Sequence, residues 1–307
     1  MIHVLLAEND AGLLRSLEVY NAVHPDDPSS LGEARETERQ SRAFAVFVAE
    51  LEGELAGGAH VRVATYTDKP HCKVYVLAGR RGRGVGQALL DAVDAWCIDR
   101  GATALTSWIA DDDPESVAWA ERRGFEERWR ERFVQLDLDT YTPRPVNPPP
   151  GVEIVTWAER PELARGMYEV ALEASPDIPG GEHDQVEPFE DWLVHDMQGS
   201  GDLPEATFVA VAGGEVVGYA KFSLTGAQPR TAHHDLTGVK RAWRGRGVAR
   251  ALKATQIAWA QANGYEELRT RNDERNAPIR RLNEQFGYRP AVGRIYLRGP
   301  LAVSGGT

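Results

Sequence analysis

A short segment rich in arginine and glycine occurs twice in this 307-residue chain, and the two copies lie 163 residues apart. The copies read Arg81-Gly82-Arg83-Gly84-Val85-Gly86 and Arg244-Gly245-Arg246-Gly247-Val248-Ala249. The same offset relates later landmarks, namely Trp96 and Trp259, Gly101 and Gly264, and Gly124-Phe125 and Gly287-Tyr288. A constant offset through about 45 residues indicates an internal duplication, so we expect two similar folded units.

Each copy of this segment has the chemistry of an anion site. It stands between a strand-like run and a long amphipathic pattern, which predicts a loop that leads into a helix. Glycines let backbone N–H groups turn toward a ligand, the first helical turn adds unpaired N–H groups, and arginines suit phosphate. We therefore predict a pyrophosphate site at each loop. A plain strand-to-helix turn is the alternative, which two matching copies disfavour.

Two better-known phosphate loops do not fit these segments. A dinucleotide-binding fingerprint needs a third glycine where Gln87 and Arg250 stand. A P-loop needs Gly-Lys followed by Ser or Thr, and neither copy has that sequence. The ligand is therefore expected to be a pyrophosphate held in another way.

The order of predicted elements favours the α/β class in both halves of the chain. Strand-like runs alternate with helical patterns on either side of a stretch that contains five prolines. Such a proline-rich stretch favours an extended spacer over a packed core. We predict an N-terminal domain at residues 1–140, a linker at 141–151 and a C-terminal domain at 152–307.

Composition narrows the class of protein and of partner. The hydrophobic content of 42% supports packed cores, and the net charge of −11 argues against nucleic acid while suiting a cationic substrate. Two cysteines, Cys72 and Cys97, are too few for a disulfide framework or a thiolate zinc site. No signal peptide, membrane-length apolar run or metal-ligand spacing is evident, so we expect a cytoplasmic protein with no metal and no membrane partner. The oligomeric state stays open.

These residues together resemble the GNAT superfamily of acyl-CoA N-acyltransferases, present twice in one chain. The family's pyrophosphate motif is Arg/Gln-x-x-Gly-x-Gly/Ala, which Arg81-x-x-Gly84-x-Gly86 and Arg244-x-x-Gly247-x-Ala249 both satisfy. The downstream helix that ends in Gly-Phe or Gly-Tyr strengthens the resemblance, which covers nearly the whole chain. It implies a mixed α+β sheet that splays open after its fourth strand, flanked by helices, with acetyl-CoA as co-substrate.

The resemblance also implies roles for individual residues. Val76 and Val239 would offer backbone groups to the pantetheine arm of coenzyme A, and the two loops would hold its pyrophosphate. Asn276 would contact the pantetheine region, although capping of the next helix is an equal alternative. In the first domain Asp113 holds that place, where capping is the expected role.

The chain departs from the family at the expected acid. Many members carry a tyrosine four residues before the Gly of Gly-Phe, where it is proposed to protonate the leaving thiolate. Ala120 and Asn283 hold these positions here, and neither is an adequate acid at neutral pH. Asn283 could still form a hydrogen bond with the sulfur or a water molecule.

An amine acceptor must lose a proton before it attacks the thioester, and the strand before the second loop offers acceptors for that proton. His233, Asp235 and Thr237 are expected on one face of this strand, with His233 or Asp235 as the base. Exposed polar residues without a catalytic role are the alternative. In the first domain His71 is the comparable residue. An acidic stretch in the second half could cover a cationic acceptor, or form a solvated loop: Glu182, His183, Asp184, Glu187, Glu190 and Asp191.

Two functions follow from these patterns. The first is an enzyme that transfers an acetyl or other acyl group from acetyl-CoA to a primary amine of a small molecule, in a ternary complex. The second is a CoA-binding regulatory or structural module with degenerate catalysis. Ala120 and Asp113 stand where the second domain has Asn283 and Asn276. We therefore expect the second domain to catalyse the reaction and the first domain to support it.

Overall fold

The computed structural model describes residues 1–65, 67–143, 145–177, 186–272 and 276–301. Its strands are β1 Ile2–Leu6, β2 Ser41–Leu51, β3 Glu54–Ala64, β4 His71–Val76, β5 Ala104–Ala110, β6 Glu126–Asp137, β7 Val152–Thr156, β8 Phe208–Ala212, β9 Glu215–Leu224, β10 Thr231–Val239, β11 Glu267–Asn272 and β12 Arg289–Pro300. Its α-helices are α1 Asp10–Val23, α2 Leu31–Arg39, α3 Val85–Ile98, α4 Pro114–Glu121, α5 Ala164–Ala174, α6 Phe189–Met197, α7 Val248–Ala262 and α8 Ala277–Gln285. The predicted α/β class is confirmed.

The chain forms two compact units. Unit 1 comprises Met1–Glu131 together with Gly293–Thr307, and unit 2 comprises Arg132–Val292. The sheet of unit 1 has the order β1-β2-β3-β4-β5-β12, and that of unit 2 has the order β7-β8-β9-β10-β11-β6. In each sheet one parallel pair, β4 with β5 or β10 with β11, joins antiparallel neighbours, so both sheets are mixed.

The two halves of the chain exchange their last strands. Strand β12 comes from the C-terminal half, yet Arg294–Pro300 pairs with β5 of unit 1. Strand β6 comes from the N-terminal half, yet Arg132–Asp137 pairs with β11 of unit 2. The compact units therefore differ from a simple division of the chain at the proline-rich stretch.

Helices cover both faces of each sheet. In unit 1, α3 packs with Val85, Leu89 and Val93 on one face, while α1 packs on the opposite face of β2, β3 and β4. In unit 2, α7 packs with Val248 and Leu252 on one face, while α5 packs on the opposite face of β9 and β10. Among the described helices, none is both long enough and apolar enough to cross a bilayer.

Each parallel pair of strands parts soon after it begins. In unit 2 only Thr231–His233 pairs with β11, and in unit 1 only His71 and Cys72 pair with β5. Beyond these residues β10 continues to Val239 and β4 to Val76, and within the described ranges no strand pairs with them on that side. We call these openings the forks of units 1 and 2. They confirm the predicted splay after the fourth strand.

The core of unit 2 contains a buried lysine. Lys253 of α7 is 1% exposed, and its Nζ lies 4.8 Å from the centroid of the Tyr288 ring. The Tyr288 hydroxyl is hydrogen-bonded to Nε2 of His234 at 2.5 Å, and Nδ1 of His234 lies 2.9 Å from Oε1 of Gln256. Burial lowers the pKa of Lys253 to about 7 and holds the pKa of His234 well below its usual value. His234 directly follows His233, which is the last residue of β10 that pairs with β11, so this polar group begins where the fork opens.

The strand exchange predicts that the halves of the chain depend on each other. Fragment 1–140 has β5 without β12, and fragment 141–307 has β11 without β6, so each exposes an unpaired strand edge. We expect each fragment alone to aggregate or melt without cooperativity, and the co-expressed pair to co-purify and regain the melting transition of the intact chain. Size-exclusion chromatography and calorimetry measure both. Two stable, non-associating monomeric fragments would show that each half closes its own sheet.

Burial of Lys253 predicts that replacing this lysine with methionine stabilises the fold by an amount that depends on pH. Because the pKa of Lys253 falls from 10.5 in the unfolded chain to about 7 in the fold, only the unfolded chain holds this proton between those values. Burial of Lys253 therefore lowers the free energy of unfolding by its full amount below pH 7, and this loss disappears as the pH approaches 10.5. We expect Lys253→Met to raise the free energy of unfolding at pH 7 by about 4 kcal/mol, with the gain shrinking at pH 9. Denaturant titrations at both values test this, with Lys240→Met, at a more exposed site, as the control. An equal effect at both pH values would contradict it.

Candidate active site

The two predicted anion loops have the same backbone conformation. Gly82 and Gly84 have φ values of 72° and 87°, and Gly245 and Gly247 have values of 73° and 91°. These left-handed conformations strongly favour glycine, which explains its presence at the same two positions of both copies. Gly84 and Gly247 are the N-caps of α3 and α7, and neither helix start has a side-chain cap. The first-turn N–H groups of each helix thus face outward beside arginines, as an anion site requires.

The first arginine of each loop shapes the loop itself. Nε of Arg244 donates to the carbonyl of Val239 at 3.1 Å, and Nε of Arg81 donates to the carbonyl of Val76 at 3.4 Å. Arg244 also pairs with Asp177 at 2.8 Å. These arginines therefore tie the end of the fork strand to its loop, and the carbonyls of Val76 and Val239 are already engaged.

The second arginine of each loop distinguishes the units. Arg83 is paired with Glu52 of the β2–β3 turn at 2.9 Å. In unit 2 the corresponding β8–β9 turn holds Gly213 and Gly214, and no described carboxylate pairs with Arg246. Arg246 instead lies 5.0 Å from the Trp243 ring. Its charge is available to a ligand, whereas a neighbour partly neutralises that of Arg83.

A β-bulge corrects the expected arrangement of β10. His234 pairs with Phe222 and Leu236 pairs with Lys221, so Asp235 is the extra residue. The alternation of faces shifts at this point: Ala232 and Val239 pack toward α7, while Leu236 packs toward α5. The prediction that residues 233, 235 and 237 share one face is therefore wrong for Thr237, which lies on the side of α7. His233 and Asp235 lie on the side of α5.

Asp235 belongs to a group of charged residues on this face. Lys221 of β9 is 3% exposed, and its Nζ lies 2.8 Å from Asp235, 2.9 Å from Asp202 and 4.0 Å from Asp196. It also donates to the backbone carbonyl of Asp196. Burial alone would lower the pKa of Lys221, but the three carboxylates raise it above its ordinary value. We call Lys221, Asp196, Asp202 and Asp235 the acidic cluster.

The carboxylates of the acidic cluster differ in access to solvent. The side chain of Asp202 is 11% exposed, that of Asp235 is 29% exposed and that of Asp196 is 49% exposed. Burial raises the pKa of Asp196 and of Asp202, and the neighbouring carboxylates raise both further, against the opposing effect of Lys221. Asp202 therefore serves mainly to hold Lys221, while Asp196 and Asp235 can reach a ligand.

The remaining predicted residues have clear structural partners. His233 is half-buried, with Nε2 2.8 Å from Oε1 of Gln228. Asn276 caps α8, since its side chain accepts from the Ile279 N–H at 3.3 Å. Asn283 is 1% exposed, and its backbone carbonyl accepts from the Tyr288 N–H. Asp113 caps α4, as expected.

The acidic stretch of the second half is described only in part. Glu182, His183 and Asp184 lie outside the described residues. Glu187 forms a pair with His195 at 2.6 Å, and Glu190 and Asp191 lie in the first turn of α6.

The corresponding face of unit 1 is basic. Lys73 of β4 donates to the Tyr20 hydroxyl at 3.0 Å and lies 4.0 Å from Asp27, which Arg294 contacts at 2.6 Å. Burial and the charges of Arg294 and Arg62 together lower the pKa of Lys73 to about 8, against the opposing effect of Asp27. Two cations, Lys73 and Arg294, therefore lie against one carboxylate. At the fork itself, the Ser107 hydroxyl donates to the Cys72 carbonyl at 2.8 Å.

The bulge also changes which residues of the two units correspond. His71 pairs with Thr106, and His233 pairs with Arg269, which is the residue 163 positions after Thr106. His71 therefore stands where His233 stands, although a constant offset would place Pro70 there. The extra residue of unit 2 is Asp235, so the bulge that carries the candidate base has no counterpart in β4, which pairs with β3 without interruption.

Sequence reasoning missed the acidic cluster and the lysine behind the fork. Lys221 interrupts the otherwise apolar run Val216–Phe222, and a charge inside a predicted buried strand is a detectable sign of a paired ion. Lys253 has no such sign, because lysine is common on helices. Among the described residues, no group of three or more His, Cys, Asp or Glu side chains has an arrangement that could hold a metal.

Comparison with known proteins agrees with this geometry. The model of the acetyltransferase (GNAT) family matches residues 14–125 and again residues 164–288. A protein named mycothiol acetyltransferase from Acidothermus cellulolyticus is 27% identical over 281 residues, which cover 85% of this chain and 81% of that protein.

Solved structures of low sequence identity share the fold over nearly their full length. A GCN5-related N-acetyltransferase from Sphaerobacter thermophilus has a TM-score of 0.75 at 22% identity, with 98% of this chain and 96% of that chain covered. A tandem GNAT protein from the clavulanic acid biosynthesis pathway has a TM-score of 0.75 at 20% identity, with 99% and 100% covered. With two family matches, two forks and two anion loops, this chain belongs to the acetyltransferase (GNAT) family and is an acyl-CoA-dependent N-acyltransferase.

Proposed function

We propose that unit 2 transfers an acetyl group from acetyl-CoA to a primary amine of a small molecule, by direct attack in a ternary complex. The observation that carries this proposal is the layout of β10. One end of the unpaired part of this strand has a bulge with an accessible carboxylate, and the other end leads into the anion loop. A thioester lodged in the fork would thus lie between a phosphate site and a proton acceptor.

The cofactor-binding roles follow from this layout. The first-turn N–H groups at Gly247, Val248 and Ala249, with Arg246, would hold the pyrophosphate of acetyl-CoA. Arg244 and Gly245 would keep the loop in shape, and the backbone of Val239 would face the pantetheine arm. Asn276, which caps α8, would border the same arm. In unit 1, residues Arg81–Gly86 and Val76 would bind acetyl-CoA in the same way.

The reaction needs one proton removed and one supplied. An ammonium group would lose a proton to Asp235 or His233, directly or through water, and the neutral nitrogen would attack the thioester carbonyl carbon. The C–N bond forms, the C–S bond breaks, and the CoA thiolate leaves and takes up a proton. Backbone N–H groups of the unpaired fork strands are suited to stabilise the developing oxyanion. Asn283 would donate a hydrogen bond to the sulfur, without acting as an acid.

The relatives support a small-molecule acceptor. Proteins 27–28% identical to this chain are named mycothiol acetyltransferase, which is an activity on a small molecule. The alternative is a CoA-binding regulatory or structural module, which the missing family tyrosine at Asn283 favours. Release of free thiol from acetyl-CoA with a panel of amines separates the two, because a regulatory module releases none above the rate of spontaneous hydrolysis.

The difference between the loops predicts unequal effects of charge reversal. Arg246→Glu places a like charge beside the pyrophosphate at the loop of the proposed active unit. We expect this variant to lose most thiol release, because CoA binding in unit 2 weakens. The matched variant Arg83→Glu should retain activity, since unit 1 only supports unit 2. Calorimetric CoA titration of both variants measures binding beside activity. Loss confined to Arg83→Glu would reverse the assignment, and equal partial loss would indicate two working sites.

The candidate bases predict a change in pH dependence. We expect Asp235→Asn or His233→Ala to lower kcat/KM by roughly 10²–10⁴-fold and to remove the acidic limb of the pH–rate profile, because the proton acceptor is lost. His195→Ala, an exposed histidine of the same unit, is the control and should leave the profile unchanged. If both test variants keep the wild-type profile, the proton acceptor is another group.

A further inference from the structure

Tyr219 of β9 carries a buried hydroxyl that the fold does not satisfy. The side chain is 0% exposed, and its oxygen has no hydrogen-bond partner among the described residues. Burial raises the pKa of this phenol well above its usual value, and the charges of Asp196, Asp235 and Asp202 raise it further. Tyr219 stands two residues from Lys221 on β9, and both side chains lie on the side of α5, so the hydroxyl shares this face with the acidic cluster. A buried polar group without a partner is rare in folded proteins and calls for a specific explanation.

The duplicated unit shows how such a tyrosine is satisfied when its role is structural. In unit 2, Tyr219 pairs with Gly238 across β9 and β10. In unit 1 the two residue types are exchanged at the equivalent pair, because Gly58 of β3 pairs with Tyr75 of β4. The Tyr75 hydroxyl is hydrogen-bonded to Ser16 of α1 at 2.6 Å. The tyrosine of unit 1 is thus fully used by the fold, whereas that of unit 2 keeps its hydroxyl for another partner.

The charge around Tyr219 indicates the sign of that partner. Three carboxylates surround the single cation Lys221, so the acidic cluster retains a net charge of −2 when its carboxylates are ionised. In unit 1 the place of Lys221 is taken by His60, which pairs with Lys73. The charges near Lys73 are those of Arg62, Arg294 and a single carboxylate, Asp27. Only unit 2 therefore offers this face to a cation.

Beyond the proposed proton acceptor, Asp235, further negative charge does not suit the nitrogen that reacts. Negative charge stabilises an ammonium group and so opposes the deprotonation that must precede attack on the thioester. The same charge is favourable for a cationic group that stays protonated throughout the reaction. Asp196 and Tyr219 are thus better matched to a second, retained charge of the acceptor than to the reacting amine.

We propose that Asp196 and Tyr219 form a subsite for a second ammonium group of the acceptor, with Asp202 and Lys221 as the positioning pair. The acceptor class is accordingly a small molecule with two amino groups, one acetylated and one retained. The Asp196 carboxylate accepts a charge-assisted hydrogen bond from the retained ammonium, and the Tyr219 hydroxyl accepts another. This inference rests on the proposed amine acetylation and adds the determinant of acceptor choice.

The test compares linear diamines with monoamines of matched length, together with diamines whose second nitrogen is trimethylated. Thiol release gives kcat/KM for each acceptor with the intact protein and with the variants Asp196→Asn and Tyr219→Phe. We expect the wild type to prefer diamines over monoamines, and Asp196→Asn to reduce that preference by about ten-fold or more. Tyr219→Phe should lower kcat/KM for the diamine but not for the trimethylated analogue, because that analogue keeps the charge but donates no N–H hydrogen bond. Asp191→Asn, an exposed residue on the same helix as Asp196, is the control for general loss of charge.

The outcomes separate the subsite from the proposed reaction. Equal turnover of diamines and monoamines by the wild type would overturn the subsite and leave amine acetylation standing. If no amine is acetylated, calorimetric titration in the presence of CoA decides: diamine binding that Asp196→Asn abolishes supports the subsite, and absence of such binding overturns it. A Tyr219→Phe variant with higher thermal stability and unchanged kinetics for every acceptor would overturn the role of the hydroxyl.

Discussion

The early end of the parallel pairing between β10 and β11 is the constraint on which the rest of unit 2 depends. After three paired residues the strands part, and the backbone of β10 facing the gap has no neighbouring strand. Backbone polar groups left in this way need another partner, and an amide-rich pantetheine arm can provide it. The anion loop follows the open part of β10, and the bulge at Asp235 lies at the beginning of this part. The site is thus a property of the sheet, supplemented by side chains.

The duplication produced two units with similar backbones, apart from the bulge at Asp235, but with different electrostatics. Both loops place glycines in the same left-handed conformations, so the conformation of the loop is retained in each unit. The faces that pack toward α1 and α5 differ in charge: Lys73 and Arg294 lie against Asp27 in unit 1, and Asp202 and Asp235 lie against Lys221 in unit 2. A sheet can change the charge of one face without disturbing the core that packs on its other face.

Sequence patterns predicted the backbone of the site better than its side-chain network. The loops were predicted residue by residue, because only glycine tolerates such conformations well beside a helix start. His233 and Asp235 were correctly placed on the strand before the loop, but the expected face was wrong for Thr237. A bulge adds one residue without any local signal, so alternation along β10 could not reveal it. The acidic cluster draws Asp196, Asp202 and Lys221 from separate segments, and no spacing rule joins them.

The sequence by itself determined the duplication, the α/β class, the two anion loops and the family, because each depends on local patterns that recur at a constant offset. Only the tertiary structure decided how the last strands are distributed. Strands β5 and β11 are copies of one ancestral strand, so β6 and β12 each face two similar partners, and local sequence does not choose between them. Tertiary structure likewise decided which charges meet. The Tyr75 hydroxyl is hydrogen-bonded to Ser16 of the helix that packs above it. The equivalent hydroxyl of Tyr219 has no hydrogen-bond partner among the described residues, and only the tertiary structure reveals this difference.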